Sequence, residues 1–337
     1  MQTFVVPALD GPITGGTRYN RELLRALAEL GVPARAVDLD EARRLLEARD
    51  SGRMWIDSLY LHEVPALRRL AGRGVTLGLV LHFLPSLVER AFGRESSDLE
   101  RMEASAFACA DSMLVPSAFL RQEVLRRGVL DELVVAIEPG IPIRPAAEAP
   151  PVGRVAAQIA ASLVRNKGII ELLQALAHIV SGSDDFALHL AGGESAEPAY
   201  ARECRALVET HATLRARVHF DGPLEHVDVE RRLALSNLFV SASFGESYGM
   251  ALAEARAAGV PILALDGGNV RAHVSSASGG ELLATHAELA HAFVSLCRDR
   301  RELERRVNLA RAHALATAAR SWGDAAKEFR DALASLA

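Results

Sequence analysis

The segment SNLFVSASFGESYGMALAEARAAGVPILALDGG, residues 236–268, holds the residues best spaced for chemistry. It reads as a strand, a glycine-containing turn, a helix stopped at Gly259, and a second strand opened by Pro261. A helix that begins at the carboxyl end of a parallel strand leaves its first N–H groups unpaired and points the positive end of its dipole outward. The backbone of Ser247, Tyr248, Gly249 and Met250 is therefore expected to cradle a pyrophosphate. Glu246 in the turn and Glu254 in the helix flank that cradle, about 12 Å apart at roughly 1.5 Å per residue, which is the reach of a nucleotide joined to a sugar. Ionised carboxylates accept hydrogen bonds from diols, so one acid would hold sugar hydroxyls and the other ribose hydroxyls. The alternative is structural, with Glu246 capping the helix and Glu254 facing solvent.

Short apolar runs alternate with amphipathic stretches along the whole chain, the pattern of βαβ units that build a parallel sheet covered by helices. The fold class is α/β. Strands are expected at Thr3 to Ala8, Trp55 to Leu61, Val75 to His82, Ser112 to Pro116 and Leu133 to Ile137, with helices such as Arg18 to Leu30 between them. A second series falls at Val155 to Ala160, Ala187 to Ala191, Val218 to Phe220, Leu238 to Ser241 and Pro261 to Leu265. Between the two series lies EPGIPIRPAAEAPP, residues 138–151, whose five prolines exclude both a helix interior and a central strand. This is the expected domain boundary, and at 337 residues two domains are the natural division. The tail from Arg301 is helical in pattern, interrupted near Ser321 to Gly323, and has no strand of its own.

The bulk numbers narrow the partners. Hydrophobic residues at 50% and charged residues at 24% describe a globular protein. A net charge of −5 and a pI near 6.1 supply no broad positive field, so nucleic acid is not an expected partner. The three cysteines, Cys109, Cys204 and Cys297, are too far apart for a CxxC metal site or a disulfide framework. The amino terminus has no basic start or long apolar core, and no stretch approaches a membrane span. A cytoplasmic location is expected, with peripheral contact at the inner membrane face left open.

Residues 236–268 as a block resemble the signature of the retaining GT-B glycosyltransferases of family 4, whose Glu, seven residues, Glu motif stands here as Glu246 to Glu254. Ser247, Tyr248 and Gly249 follow the first Glu, and Gly-Val-Pro at 259–261 and the pair Gly267 and Gly268 follow the second. The resemblance implies two Rossmann-like domains with parallel sheets facing across a cleft. Residues 1–145 would shape the acceptor site, 146–315 would bind the donor, and the helix of 316–337 would pack back on the first domain. Gly15 and Gly16 resemble the family's amino-terminal Gly-Gly loop, whose amides would face the phosphates; GPITGGTRYN is not a GxGxxG fingerprint, which disfavours a nicotinamide site. VLHFLP is similar to the strand that ends in the family's active-site His, here His82, although a strand-end His alone is equally a hydrogen-bonded structural residue.

SLVRNKGIIELLQAL, residues 162–176, resembles the segment that carries an Arg and a Lys to neutralise the diphosphate. Lys167 matches the Lys; Ser162 stands where the Arg is expected, and Arg165 is the nearest substitute. HFDGPL resembles the strand and turn near the nucleobase, bringing Leu224 into the donor set, and HLAGGES resembles a glycine turn. In DGGNVRAHV the residues Asn269, Val270 and Arg271 replace a stretch where members often carry an acid. The resemblance implies transfer of a hexose, with retention, from a UDP- or GDP-linked donor to an acceptor that is a small molecule, glycan or lipid. His82, Lys167 and Glu246 would serve the chemistry. No cofactor or metal is expected, since cationic side chains and backbone dipoles supply the stabilisation and no ligand cluster is evident. The rivals are a nucleotide-sugar epimerase of the same fold and a binding protein that has lost transfer.

Overall fold

A computed structural model describes residues 1–9, 14–48, 52–72, 74–148, 150 and 153–335. The chain divides into two compact units, one of residues 1–140 with 320–337 and the other of residues 141–319.

Unit 1 runs β1 (Gln2–Val5), α1 (Gly15–Glu29), β2 (Ala34–Val37), α2 (Leu39–Glu47), β3 (Gly52–Asp57), α3 (Val64–Leu70), β4 (Val75–Val80), α4 (Pro85–Ala91), α5 (Ser97–Phe107), β5 (Ser112–Val115), α6 (Ala118–Leu125) and β6 (Val134–Ala136). Its strands form one sheet of order β2-β1-β3-β4-β5-β6, every pair parallel. Unit 2 runs β7 (Val155–Ala160), α7 (Ile169–Ile179), β8 (Phe186–Ala191), α8 (Pro198–Thr210), α9 (Ala212–Arg215), β9 (Val218–Gly222), α10 (His226–Leu235), β10 (Leu238–Ser241), α11 (Met250–Ala257), β11 (Ile262–Leu265), β12 (Glu281–Leu283), α12 (His286–Arg298) and α13 (Arg300–Ala316). Its sheet has the order β12-β11-β10-β7-β8-β9, again all parallel. The last helix, α14 (Trp322–Ser335), returns to unit 1, where Phe329 packs on Phe4 and Trp55 and Trp322 meets Tyr19 edge to face.

Both sheets change direction in the middle. In unit 1 the chain passes from β1 to β2 on one side and returns to β3 on the other; in unit 2 it reaches β9 on one side of β7 and resumes at β10 on the other. Neighbouring loops diverge at such a switch point and leave a crevice at the carboxyl ends of the strands, the place where open α/β sheets bind ligands. In unit 1 the crevice lies between β1 and β3, and in unit 2 between β7 and β10.

Three sequence expectations need correction. Strands β2 and β12 were not anticipated; both are edge strands, short and of mixed polarity, so neither carries the continuous apolar run of a buried parallel strand. Helix α1 begins at Gly15 rather than Arg18 because Thr14 and Thr17 form a reciprocal capping box. The strand expected at Trp55 to Leu61 stops at Asp57, whose carboxylate accepts the Leu59 amide at 2.9 Å and turns the chain into a 3-10 helix over Ser58–Glu63. Among the described residues no helix is long and apolar enough to cross a membrane.

Candidate active site

The unit 2 crevice is walled by the loops that leave β7 and β10. After β7, a 3-10 turn over Arg165–Lys167 ends at Gly168, and the Asn166 carbonyl accepts the amide of Phe244 in the loop after β10 at 3.1 Å. His286, at the start of α12, donates from Nε2 to the Ala242 carbonyl at 3.0 Å; burial lowers its pKa and keeps the ring neutral. The β10 loop is stitched on its other side to the turn after β11. There Glu246 donates its amide to Gly267 at 3.3 Å and accepts from Asn269 at 2.7 Å. Gly268 has φ +61°, and a Cβ there would lie 2.3 Å from the Glu246 carbonyl, so only glycine fits.

This framework holds Lys167 and Glu246 together. Nζ of Lys167 donates to Oε1 of Glu246 at 2.6 Å, with the two side chains 23% and 18% exposed. An ammonium and a carboxylate at the mouth of a switch-point crevice can bind a diphosphate and a sugar hydroxyl respectively.

Four residues beyond Glu246 the chain enters α11. Gly249 caps the helix with φ 90°, and Met250 is its first residue. Because Glu246 lies outside the helix, the helical rise used to separate it from Glu254 does not apply between them. Tyr248 is buried, while Ser247 and Met250 are half-buried. The Tyr248 carbonyl takes two hydrogen bonds, from Asn269 Nδ2 at 2.8 Å and from His273 Nε2 at 2.6 Å, and the Tyr248 and His273 rings meet edge to face. Burial, with Arg256 adding to it, pushes the His273 pKa down to about 4, which leaves the ring neutral and donating from Nε2. Glu254 is buried at 4% exposure, not solvent-facing, and lies 3.9 Å from His226 Nδ1 on α10. Leu224 is half-buried in the turn two residues before His226.

Arg165 is not gathered with these groups. It is half exposed, paired with Glu197 and Glu203 at 3.7 Å each, and its guanidinium lies over the Tyr200 ring.

In unit 1 the crevice gathers Gly16, Asn20, Asp57 and His82. Gly16 follows Gly15 in the first turn of α1, and a Cβ on it would sit 3.0 Å from Cδ2 of His82. His82 lies two residues past β4, its side chain 10% exposed, and its Nε2 is 3.0 Å from Asn20 Oδ1 and 3.3 Å from Asp57 Oδ2. Burial alone would raise the Asp57 pKa, but the adjoining His82 ring and the hydrogen bonds from Leu59 and Asn20 hold it below the ordinary carboxylate value.

Residues 155–299 match the family model of glycosyl transferases group 1. A D-inositol 3-phosphate glycosyltransferase from Xylanimonas cellulosilytica is 35% identical over 132 residues, 38% of this chain. That match spans 30% of the relative's length. Among solved structures, sucrose-phosphate synthase from Thermosynechococcus elongatus superposes with a TM-score of 0.79 at 19% identity, covering 99% of this chain and 98% of the other. The Anabaena protein HepE, solved with UDP and glucose, superposes with a TM-score of 0.77 at 17% identity, covering 99% of both chains. The two six-stranded parallel sheets with flanking helices are the fold of these structures, the GT-B fold.

Asn20, Asp57, Asn269, His273 and His286 were not singled out for roles in these sites from sequence. Each acts through a partner that only the fold supplies, and only Asn269 left a signal, as a departure from the family pattern beside Gly268.

Proposed function

We propose that the chain is a retaining glycosyltransferase of family 4 that transfers a hexose from a UDP- or GDP-linked donor to a small-molecule, glycan or lipid acceptor. The observation that carries this reading is the Lys167–Glu246 pair, held at the unit 2 switch point beside the start of α11, within the segment that matches the glycosyl transferases group 1 model. The diphosphate takes the amides of Ser247 to Met250 and the Lys167 ammonium, which leaves Glu246 free to accept a sugar hydroxyl. Glu254, beyond the phosphates and buried, accepts the ribose hydroxyls, and Leu224 lies toward the base. The helix-start amides of Gly15 and Gly16 are a second set of anion donors, and His82 serves a sugar hydroxyl in the unit 1 crevice.

As the anomeric carbon–oxygen bond to phosphate breaks, negative charge grows on the leaving oxygen and Lys167 stabilises it. The acceptor oxygen bonds to the anomeric carbon on the same face, and its proton moves to the departing phosphate. No step calls for a metal or cofactor. Residues 1–145 serve the acceptor, 146–315 the donor, and the work is done in the cytoplasm. Uridine is the first carrier to test, because the HepE structure holds UDP. The test is release of nucleoside diphosphate from UDP- and GDP-hexoses with a panel of acceptors, following the product's anomeric configuration. An inverted product, or no release from any donor, would sink the proposal.

A further inference from the structure

The side chains of Asn20, Asp57 and His82 lie 37 and 62 residues apart in sequence yet make one hydrogen-bonded chain at the carboxyl ends of β3 and β4. Its polarity is forced from one end. Asp57 is 1% exposed, and as a carboxylate it can only accept. Its Oδ1 receives the Leu59 amide at 2.9 Å, and its Oδ2 receives Asn20 Nδ2 at 2.7 Å. With its amide nitrogen committed to Asp57, the fully buried Asn20 must turn its carbonyl oxygen to His82. Nε2 of His82, 3.0 Å from that oxygen and 3.3 Å from Asp57 Oδ2, faces two acceptors and must carry a hydrogen. In the neutral ring the lone pair is then on Nδ1, which has no hydrogen-bond partner among the described residues.

The ring itself is clamped. The His82 amide donates to Ser58 Oγ at 3.2 Å, and Tyr19, anchored by its hydroxyl to the Ile137 carbonyl at 2.9 Å, meets the imidazole edge on at 5.3 Å. Gly16, having no side chain to meet the ring, allows the α1 backbone to approach.

We infer that Asp57 and Asn20 are positioning residues that lock His82 in the Nε2–H tautomer, so that Nδ1 is the hydrogen-bond acceptor unit 1 offers to a sugar hydroxyl. The sugar in this inference rests on the transferase reading; the relay does not. Asp57→Asn keeps the shape but reverses the chain. Its carbonyl oxygen stays with Leu59, its amide nitrogen takes the Oδ2 place and donates to Asn20, and Asn20 flips to donate to Nε2. His82 must then carry its hydrogen on Nδ1 and donate where the wild type accepts, the same logic by which an Asp-to-Asn change beside an imidazole yields the wrong tautomer.

The test is 15N NMR of ring-labelled histidine above the ordinary His pKa, with His82→Gln used to pick its signal out from the 11 histidines. The expected result is a protonated Nε2 in the wild type, exchange of the two nitrogen types in Asp57→Asn, and a fall in turnover of about tenfold or more at similar thermal stability. A wild-type ring protonated on Nδ1, or a variant that leaves the tautomer unchanged, overturns the relay whatever the activity. Exchange of tautomers with turnover unchanged overturns the role of Nδ1 toward the sugar. Should the variant not fold, the wild-type spectrum still decides the tautomer. A protein with the expected spectra and no nucleotide-sugar turnover contradicts the transferase reading alone.

Discussion

Replacing Lys167 with alanine removes the ammonium that the structure places against Glu246 in the unit 2 crevice. A unit charge about 4 Å from an ammonium gains ~4 kcal/mol at an effective dielectric near 20. Lys167 must first leave Glu246, and for side chains 23% and 18% exposed that ion pair is worth no more than about 1 kcal/mol. The net stabilisation of the leaving diphosphate is therefore about 3 kcal/mol, which is roughly a hundredfold in kcat/KM at about 1.4 kcal/mol per tenfold. The same exposure sets the cost to the fold: Glu246 left alone stays hydrated, so global stability should change by about 1 kcal/mol or less. The assay is nucleoside diphosphate release at low donor, read as kcat/KM, so that the cost of parting Lys167 from Glu246 is included, alongside a thermal melt. A kcat/KM within about threefold of wild type would refute the role of Lys167 as leaving-group cation. A hundredfold loss accompanied by a collapse in melting temperature would mean that the pair holds the fold and the loss of activity says nothing of charge.

Arg165→Ala should cost much less than Lys167→Ala in the same assay, because its guanidinium is already held by Glu197, Glu203 and the Tyr200 ring. Gly268→Ala should lower stability by about 1–3 kcal/mol, since it forces a side chain into a positive-φ position against the Glu246 carbonyl; a chemical denaturation midpoint equal to wild type would refute the clash. His273 gives a pH dependence. Its folded pKa, about 4, lies below the unfolded value near 6.5, so between these values the unfolded state binds the extra proton. Stability should fall as pH drops from about 6.5 towards 4 and gain nothing from His273 above that window, with a full contribution of order 3 kcal/mol. His273→Gln should flatten that slope in urea melts taken across the range, and an unchanged slope would show that the ring is not held neutral.

Strands were legible where burial on both faces leaves a nearly continuous apolar run, as in Val155–Ala160 and Leu238–Ser241, which form where the sequence places them. The edge strands Ala34–Val37 and Glu281–Leu283 were not, because they need neither face fully apolar, whereas the edge strands Val134–Ala136 and Val218–Gly222 form where they were expected. In the candidate sites, spacing and resemblance singled out Lys167 and Glu246, and the structure puts them in contact. Glu254 read as either a ligand or a solvent-facing residue, and its burial beside α10 is a tertiary fact that helical periodicity does not carry. The side-chain pairing of Arg165 with Glu197 and Glu203 likewise depends on how α8 packs. The Asn20–Asp57–His82 chain was illegible for the plainest reason: its members come from α1, β3 and the loop after β4, and nothing local in any of them marks the others.

The most direct test of a nucleotide-sugar site in unit 2 is thermal stabilisation by uridine, guanosine, adenosine and thymidine diphosphates, repeated with Glu254→Ala. A ligand that binds only the folded state adds about 2.7 kcal/mol at a hundred times its Kd. One nucleotide should raise the melting temperature of the wild type, and Glu254→Ala should lose most of that rise. No shift with any diphosphate, or a shift undiminished in the variant, would contradict the placement of the donor at the start of α11.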